Sequence, residues 1–225
     1  MVTTQSGERS VGRKFQGLTP EERAGQRRDT ILAAALEVFG TRGYAGSSVR
    51  HICRDGGLTE RYFYESFPDR EGCLAELYGT LVDELRAATL AAVEAGGDVD
   101  ARTQAGLNAF VGYLTDDPRR ARVVLIEVIG VSPAMEARRH GVLRAFADIV
   151  AAVWTDARTK PLTPQERLTA VALVGGVNHL LVDWLMTGCA QRPSELAQVC
   201  ATLFGAARRG YRATEAAMGS GDAAG

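Results

Sequence analysis

The chain has 225 residues, 46% of them hydrophobic and 24% charged, with 26 Lys or Arg against 27 Asp or Glu. That is enough apolar material for a small module plus a larger domain, and it excludes a disordered polyelectrolyte or a disulfide-dense miniprotein. A formal net charge of −1 also excludes a generic polyanion binder, although residues 1–70 carry eleven basic against nine acidic side chains and the remainder fifteen against eighteen.

In chain order, residues 1–18 are polar, with Arg9, Arg13 and Lys14, and read as a disordered arm. Thr19 as cap, Pro20 at the first helical position and Glu21-Glu22 behind it predict a helix to about Gly40 with Ile31, Ala35 and Phe39 inward. Ser47 to Phe67, SSVRHICRDGGLTERYFYESF, has the form of two short helices around a sharp turn. Ser48 caps the first, whose Val49, Ile52 and Cys53 share a face; Gly56-Gly57 suits the turn and Leu58 the corner between the helices. Thr59 offers an N-cap to the second helix, and Glu60 sits in its first turn. Phe63 and Phe67 point inward, which leaves Glu60, Arg61, Tyr62, Tyr64 and Glu65 outward. Such a helix suits a DNA major groove, where Arg bonds guanine and Tyr meets phosphate or a thymine methyl. A plain helical hairpin within a core has the same spacing.

With its flanks from Arg27 to Leu74, this stretch resembles the TetR family of bacterial transcriptional regulators. The resemblance runs through Ile31, Ala35, Phe39, Gly43, Tyr44, Ser48, Val49 and Ile52, then Gly57, Leu58, Thr59, Tyr64, Phe67, Arg70, Glu71 and Leu74. Cys53 departs from the family's usual alanine, and Glu60-Arg61 stand where a basic residue and glycine are common. Arg70 replaces the usual lysine and keeps its charge. The candidate DNA-binding residues are Arg28, Ser47, Ser48, Arg50, Thr59, Glu60, Arg61, Tyr62, Tyr64 and Arg70.

Beyond Pro68, Asp69 caps a long helix from Arg70 to about Ala95, ended by Gly96-Gly97. A helix led by Asp98 to Asp100 follows, with Leu107, Phe110, Val111 and Leu114 as its stripe. After Asp116-Asp117-Pro118, the run RRARVVLIEVIG reads as one buried helix in which Glu127 is either an Arg partner or a pocket group. Ser132-Pro133 opens a helix to about Arg158. Thr163-Pro164-Gln165-Glu166 opens another that is apolar nearly all round, with Ala172 and Gly176 allowing close backbone approach. A last helix spans Ser194 to about Arg212, and a disordered tail is expected over 213–225.

The expected fold is all-α: a three-helix module with the helix-turn-helix over 19–69, then a larger helical ligand-binding and dimerisation domain over 70–212. The resemblance implies a homodimer through helices at about 165–187 and 194–212, double-stranded operator DNA as partner, and a small-molecule effector. Cavity candidates are Tyr78, Phe110, Tyr113, Glu127, Phe146, Trp154, Asn178 and Trp184. Enzyme signatures such as GxSxG, HExxH and phosphate loops are absent from the sequence, so neither enzymatic activity nor a cofactor or metal is expected. The i, i+4 pairs Glu136/His140 and His179/Asp183 are commonplace on helices. Cys53, Cys73, Cys189 and Cys200 lack CxxC spacing and read as reduced thiols. MVTTQSGERSVGRKFQG has no apolar core, and the most apolar window, Val171 to Met186, contains Asn178, His179 and Asp183; a cytoplasmic protein with no membrane partner is expected. The function expected is a repressor released from its operator by ligand. Activation by the same fold is an alternative, and a small helical enzyme or metal carrier is another.

Overall fold

A computed structural model describes residues 19–156 and 161–221, with side chains described through Ala213. The arm expected over 1–18 and the extreme tail lie outside the described residues. All regular structure among the described residues is helical: α1 (Pro20–Arg42), α2 (Val49–Asp55), α3 (Glu60–Ser66), α4 (Arg70–Glu94), α5 (Val99–Asp116), α6 (Pro118–Arg122), a π-helical segment (Val123–Glu127), α7 (Pro133–Thr155), α8 (Pro164–Met186) and α9 (Pro193–Gly221).

The helix starts follow from local chemistry. Thr19 and Glu22 form a reciprocal capping box: the Thr19 hydroxyl accepts the Glu22 N–H at 3.2 Å, and the Glu22 carboxylate accepts the Thr19 N–H at 2.6 Å. Thr163 and Glu166 repeat it at α8, with distances of 3.3 and 2.7 Å. Ser48, Asp69, Asp98, Asp117 and Ser132 cap α2, α4, α5, α6 and α7 through their side chains.

Two readings are corrected. The run after Pro118 is not a single α-helix: α6 gives way to a π turn, which shifts the register by one residue. Val123, Val124, Leu125 and Val128 are thereby all buried while Glu127 turns towards α1. Of the tail expected over 213–225, residues up to Gly221 continue α9 and the rest lie outside the described residues. RATEAA is rich in helix formers, and no proline interrupts it.

The main core runs through Phe39 of α1, Phe63 of α3, Tyr78 and Leu85 of α4, Leu114 of α5 and Leu181 of α8. A smaller cluster joins Val93, Val99, Ala151, Val153, Trp154 and Leu162 beyond the far end of α4. In the larger part, α5 packs on α4 and α9, and α8 on α7.

The first three helices meet the rest of the molecule at α6. A Cβ built on Gly40 would stand 2.4 Å from Arg119 Cβ and 2.9 Å from its Cα, so α1 and α6 touch nearly backbone to backbone. Arg119 then donates to Glu37 of α1 at 2.5 Å and to Asp117 at 2.7 Å. Gly40→Val should therefore lower stability by about 1–3 kcal/mol through overpacking, read as a lower urea midpoint. An unchanged midpoint would show that the junction yields at no cost.

Candidate nucleic-acid interface

α2 and α3 are too short to be stable alone and take their positions from what they bury. Ile52 and Phe63 are fully buried, and Phe67 nearly so, with the Phe63 and Phe67 rings 5.7 Å apart. Each such side chain contributes about 1.5–3 kcal/mol of burial, which anchors α3 on α1 and α2. Between the helices Gly57 has φ +63°, a conformation that favours glycine, and Leu58 N–H closes the turn on the Cys53 carbonyl at 2.9 Å.

Held this way, α3 turns its other face outward. Tyr62 is 37% and Tyr64 57% exposed, and the Arg61 side chain is 84% exposed. Arg61 donates to Glu65 at 2.9 Å, an i, i+4 pair in water that a competing anion breaks at little cost. The Arg27 guanidinium lies 4.8 Å from the centre of the Tyr62 ring and fixes its inner edge. Thr59 occupies the cap position but makes no capping hydrogen bond, and Glu60 and Arg50 are exposed. An exposed helix bearing one arginine and two tyrosines fits a major groove about 12 Å wide.

Other expected contact residues are committed inside the protein. Arg28 forms an ion pair with Glu76 of α4, donates to the Ser66 carbonyl at 2.5 Å and stacks 4.4 Å from the Phe67 ring centre. Ser47 is 7% exposed, and its hydroxyl donates to the Tyr44 carbonyl at 2.7 Å. Ser48 accepts the His51 N–H at 3.3 Å as a cap. Arg70 donates to the Tyr44 and Ser47 carbonyls and lies 4.0 Å from the Tyr44 ring centre. Here the family's lysine position carries a planar fork that ties the loop before α2 to the start of α4.

Sequence reasoning missed the link behind this module. Glu127 accepts the Tyr44 N–H at 2.6 Å and the Arg122 guanidinium at 2.8 Å, with its side chain only 10% exposed. Gly43 makes room for it: φ is +78°, and a Cβ there would lie 3.0 Å from Glu127 Oε2. An acid in an apolar run was the only signal, and of its two readings the structure chooses the arginine partner.

The larger helical part holds two adjoining cavities of about 70 and 30 Å³ that share Phe110, Phe146 and Val174. Of the expected cavity residues, Tyr78, Phe110, Phe146 and Asn178 line this space. Four stand elsewhere. The Tyr113 hydroxyl donates to Glu84 at 2.6 Å. Trp154 packs in the smaller cluster. Trp184 donates to the Gln191 carbonyl at 3.1 Å. Glu127 faces α1, because helical periodicity cannot foresee a π turn. Among the described residues no three His, Cys, Asp or Glu side chains gather as a metal site.

Residues 31–77 match the family model of bacterial regulatory proteins, tetR family. Solved structures share the fold. FadR from Bacillus subtilis in complex with stearoyl-CoA aligns with a TM-score of 0.70 at 17% identity, over 78% of this chain and 96% of that one. A TetR-like transcriptional regulator from Rhodococcus sp. RHA1 aligns at 0.69 and 19%, over 87% and 99%. The fatty acid degradation regulator FadR from Bacillus halodurans aligns at 0.68 and 20%, over 84% and 96%.

With the Arg70 side chain bonded to two carbonyls, Arg70→Ala should cost about 1–3 kcal/mol of stability, measured by urea denaturation without DNA. A midpoint equal to wild type would return Arg70 to the DNA-contacting role that its charge first suggested.

Proposed function

We propose that this chain, whose residues 31–77 match the family model of bacterial regulatory proteins, tetR family, is a homodimeric repressor which a small molecule releases from operator DNA. The observation that carries this reading is α3 itself, which sets Arg61, Tyr62 and Tyr64 outward on a base of buried phenylalanines. In this reading those three side chains read or position the operator, with Arg50, Thr59 and Glu60 at its margin. Arg28, Ser47, Ser48 and Arg70 hold the module in shape.

Dimerisation is supported by an apolar face without a partner in the monomer. On α8, Ala172, Gly175, Gly176, His179 and Asp183 are exposed in one stripe, with Leu168 66% and Met186 74% exposed at either end. Val199 and Leu203 of α9 are 51% and 56% exposed, and a groove of about 510 Å³ runs between the two helices. Small residues let backbones meet closely, and a face this apolar is unusual on a monomer. A two-fold pair would present two α3 helices to half-sites about 34–36 Å apart. Leu203→Glu should then yield folded monomers by analytical ultracentrifugation, with operator affinity reduced by at least about tenfold. A dimer of unchanged strength would place the interface on another surface.

Ligand control is supported by the path from the cavity to α1. Val124 and Leu125 of the π segment line the smaller cavity, and Glu127, two residues on, holds the Tyr44 N–H. A ligand that shifts this segment moves the anchor of the helix-turn-helix and favours an arrangement that binds DNA less well. The stearoyl-CoA in the Bacillus subtilis neighbour accords with a small-molecule effector. Glu127→Ala should leave a ligand bound while cutting its effect on operator affinity by about 1–3 kcal/mol of coupling. Full coupling in that variant would move the path elsewhere.

The reading as a whole is tested by fluorescence anisotropy of the purified protein on DNA flanking its own gene, beside random DNA, over a range of salt. Two protomers per site with specificity that survives added salt are expected. Arg61→Ala should lower the salt slope by about one unit. Equal, salt-labile binding to both DNAs would count against a specific operator in that region.

A further inference from the structure

The two cavities differ in chemistry, and the difference specifies an occupant. The larger is walled by Val93, Leu107, Phe110, Phe146, Val153 and similar carbon surfaces. Its hydroxyl residues, Thr89 and Thr103, give their protons to the carbonyls of Leu85 and Val99 on their own helices, each at 2.7 Å. With those hydroxyls bonded within their own helices and the remaining walls apolar, hydrocarbon is the matching filling.

The smaller cavity is lined by the apolar side chains of Val124, Leu125 and Val142, among others, and by Tyr78, Arg139 and Asn178. Arg139 is the one charged residue in its lining, and its Nε is buried without a hydrogen-bond partner among the described residues. The Glu136 carboxylate lies 3.8 Å from another nitrogen of the same guanidinium, and its second oxygen accepts the Gly130 N–H at 2.7 Å. The lining itself therefore carries one guanidinium and no acid, with Glu136 at long range outside it. Tyr78 adds a hydroxyl that burial keeps protonated, its pKa pushed up to about 12. A guanidinium next to a neutral phenol and an amide is a set of donors for a carboxylate. Access is at hand: a cleft of about 230 Å³ between α4 and α7 reaches Val142 and Phe146, with Gly141 and Ala145 leaving it open and Arg86 and Arg138 at its rim beside Asp83.

We propose that these cavities form one site for an amphipathic carboxylic acid, its hydrocarbon tail in the larger cavity and its carboxylate on Arg139, assisted by Tyr78 and Asn178. The assignment rests on the reading that this helical part binds an effector, and it names the effector's class. Occupancy would press on Val124 and Leu125, the residues that lead to Glu127. An acyl thioester shares the tail but has no charge where the carboxylate would sit, so the two sources separate at Arg139.

The test is calorimetric titration of the DNA-free full-length protein with sodium decanoate, 1-decanol, decyltrimethylammonium and decanoyl-CoA. Decanoate should bind at least about tenfold tighter than the alcohol, the margin of one charged hydrogen bond, and the cation should not bind. Arg139→Met should erase that margin without weakening 1-decanol, Arg139→Lys should keep part of it, and Val150→Phe, which fills the larger cavity, should weaken acid and alcohol alike. Circular dichroism and melting temperature establish that each variant is folded. Absence of saturable decanoate binding overturns the proposal, as does equal affinity for acid and alcohol in the wild type. Decanoyl-CoA binding more tightly than decanoate and indifferent to Arg139→Met overturns it in favour of a thioester. Operator release is measured separately, so decanoate binding without release leaves the site standing and fails only the regulatory reading.

Discussion

A carboxylate nearly out of water has to be answered by charge or by hydrogen bonds, and Glu127 is answered by both. Its two oxygens take the Tyr44 amide and the Arg122 guanidinium, one from the loop after α1 and one from its own segment. Removing the Arg122 guanidinium would leave an uncompensated buried charge, and the Tyr44 N–H bond holds the loop before α2 where Glu127 is held. The positive φ of Gly43 and the bare backbone of Gly40 let the two parts approach closely enough for that bond to form. The position of the helix-turn-helix relative to the larger helical part follows from this contact and from the Arg119 bonds beside it.

Arginine does much of the remaining bracing. Arg28 joins α1 to α4 and covers Phe67, and Arg70 joins α4 to the loop before α2 while covering Tyr44. Each combines planar stacking with bonds to carbonyls or a carboxylate, which a flexible ammonium does less well. What is left exposed around α3 is therefore a short set of side chains on a rigid base. A pre-organised set loses less entropy on contact with a partner than a mobile one.

The larger part shows two kinds of unfinished surface. Outside, α8 and α9 leave apolar and small residues uncovered in register. Inside, the helices leave a carbon-walled space that reaches one arginine whose Nε has no hydrogen-bond partner among the described residues. The π segment connects the inner surface to the DNA-facing module, since Val124 and Leu125 border the cavity and Glu127 does not.

By itself the sequence determined whatever depends on neighbours a few residues apart. Thr19, Ser48, Asp69 and Thr163 announce helix starts, Gly57 announces the turn, and the spacing of Phe63 and Phe67 separates the buried side of α3 from its exposed side. Those signals are local because capping, positive φ and helical periodicity are local physics. Which arginines face a partner and which are spent inside could not be read, because Arg28 and Arg61 look alike until Glu76 and Ser66 arrive from distant positions. Likewise Trp154 and Trp184 look like cavity walls until packing places Trp154 in the smaller cluster and turns the Trp184 N–H to the Gln191 carbonyl. Burial and charge pairing are properties of elements brought together, and only the tertiary structure decided them.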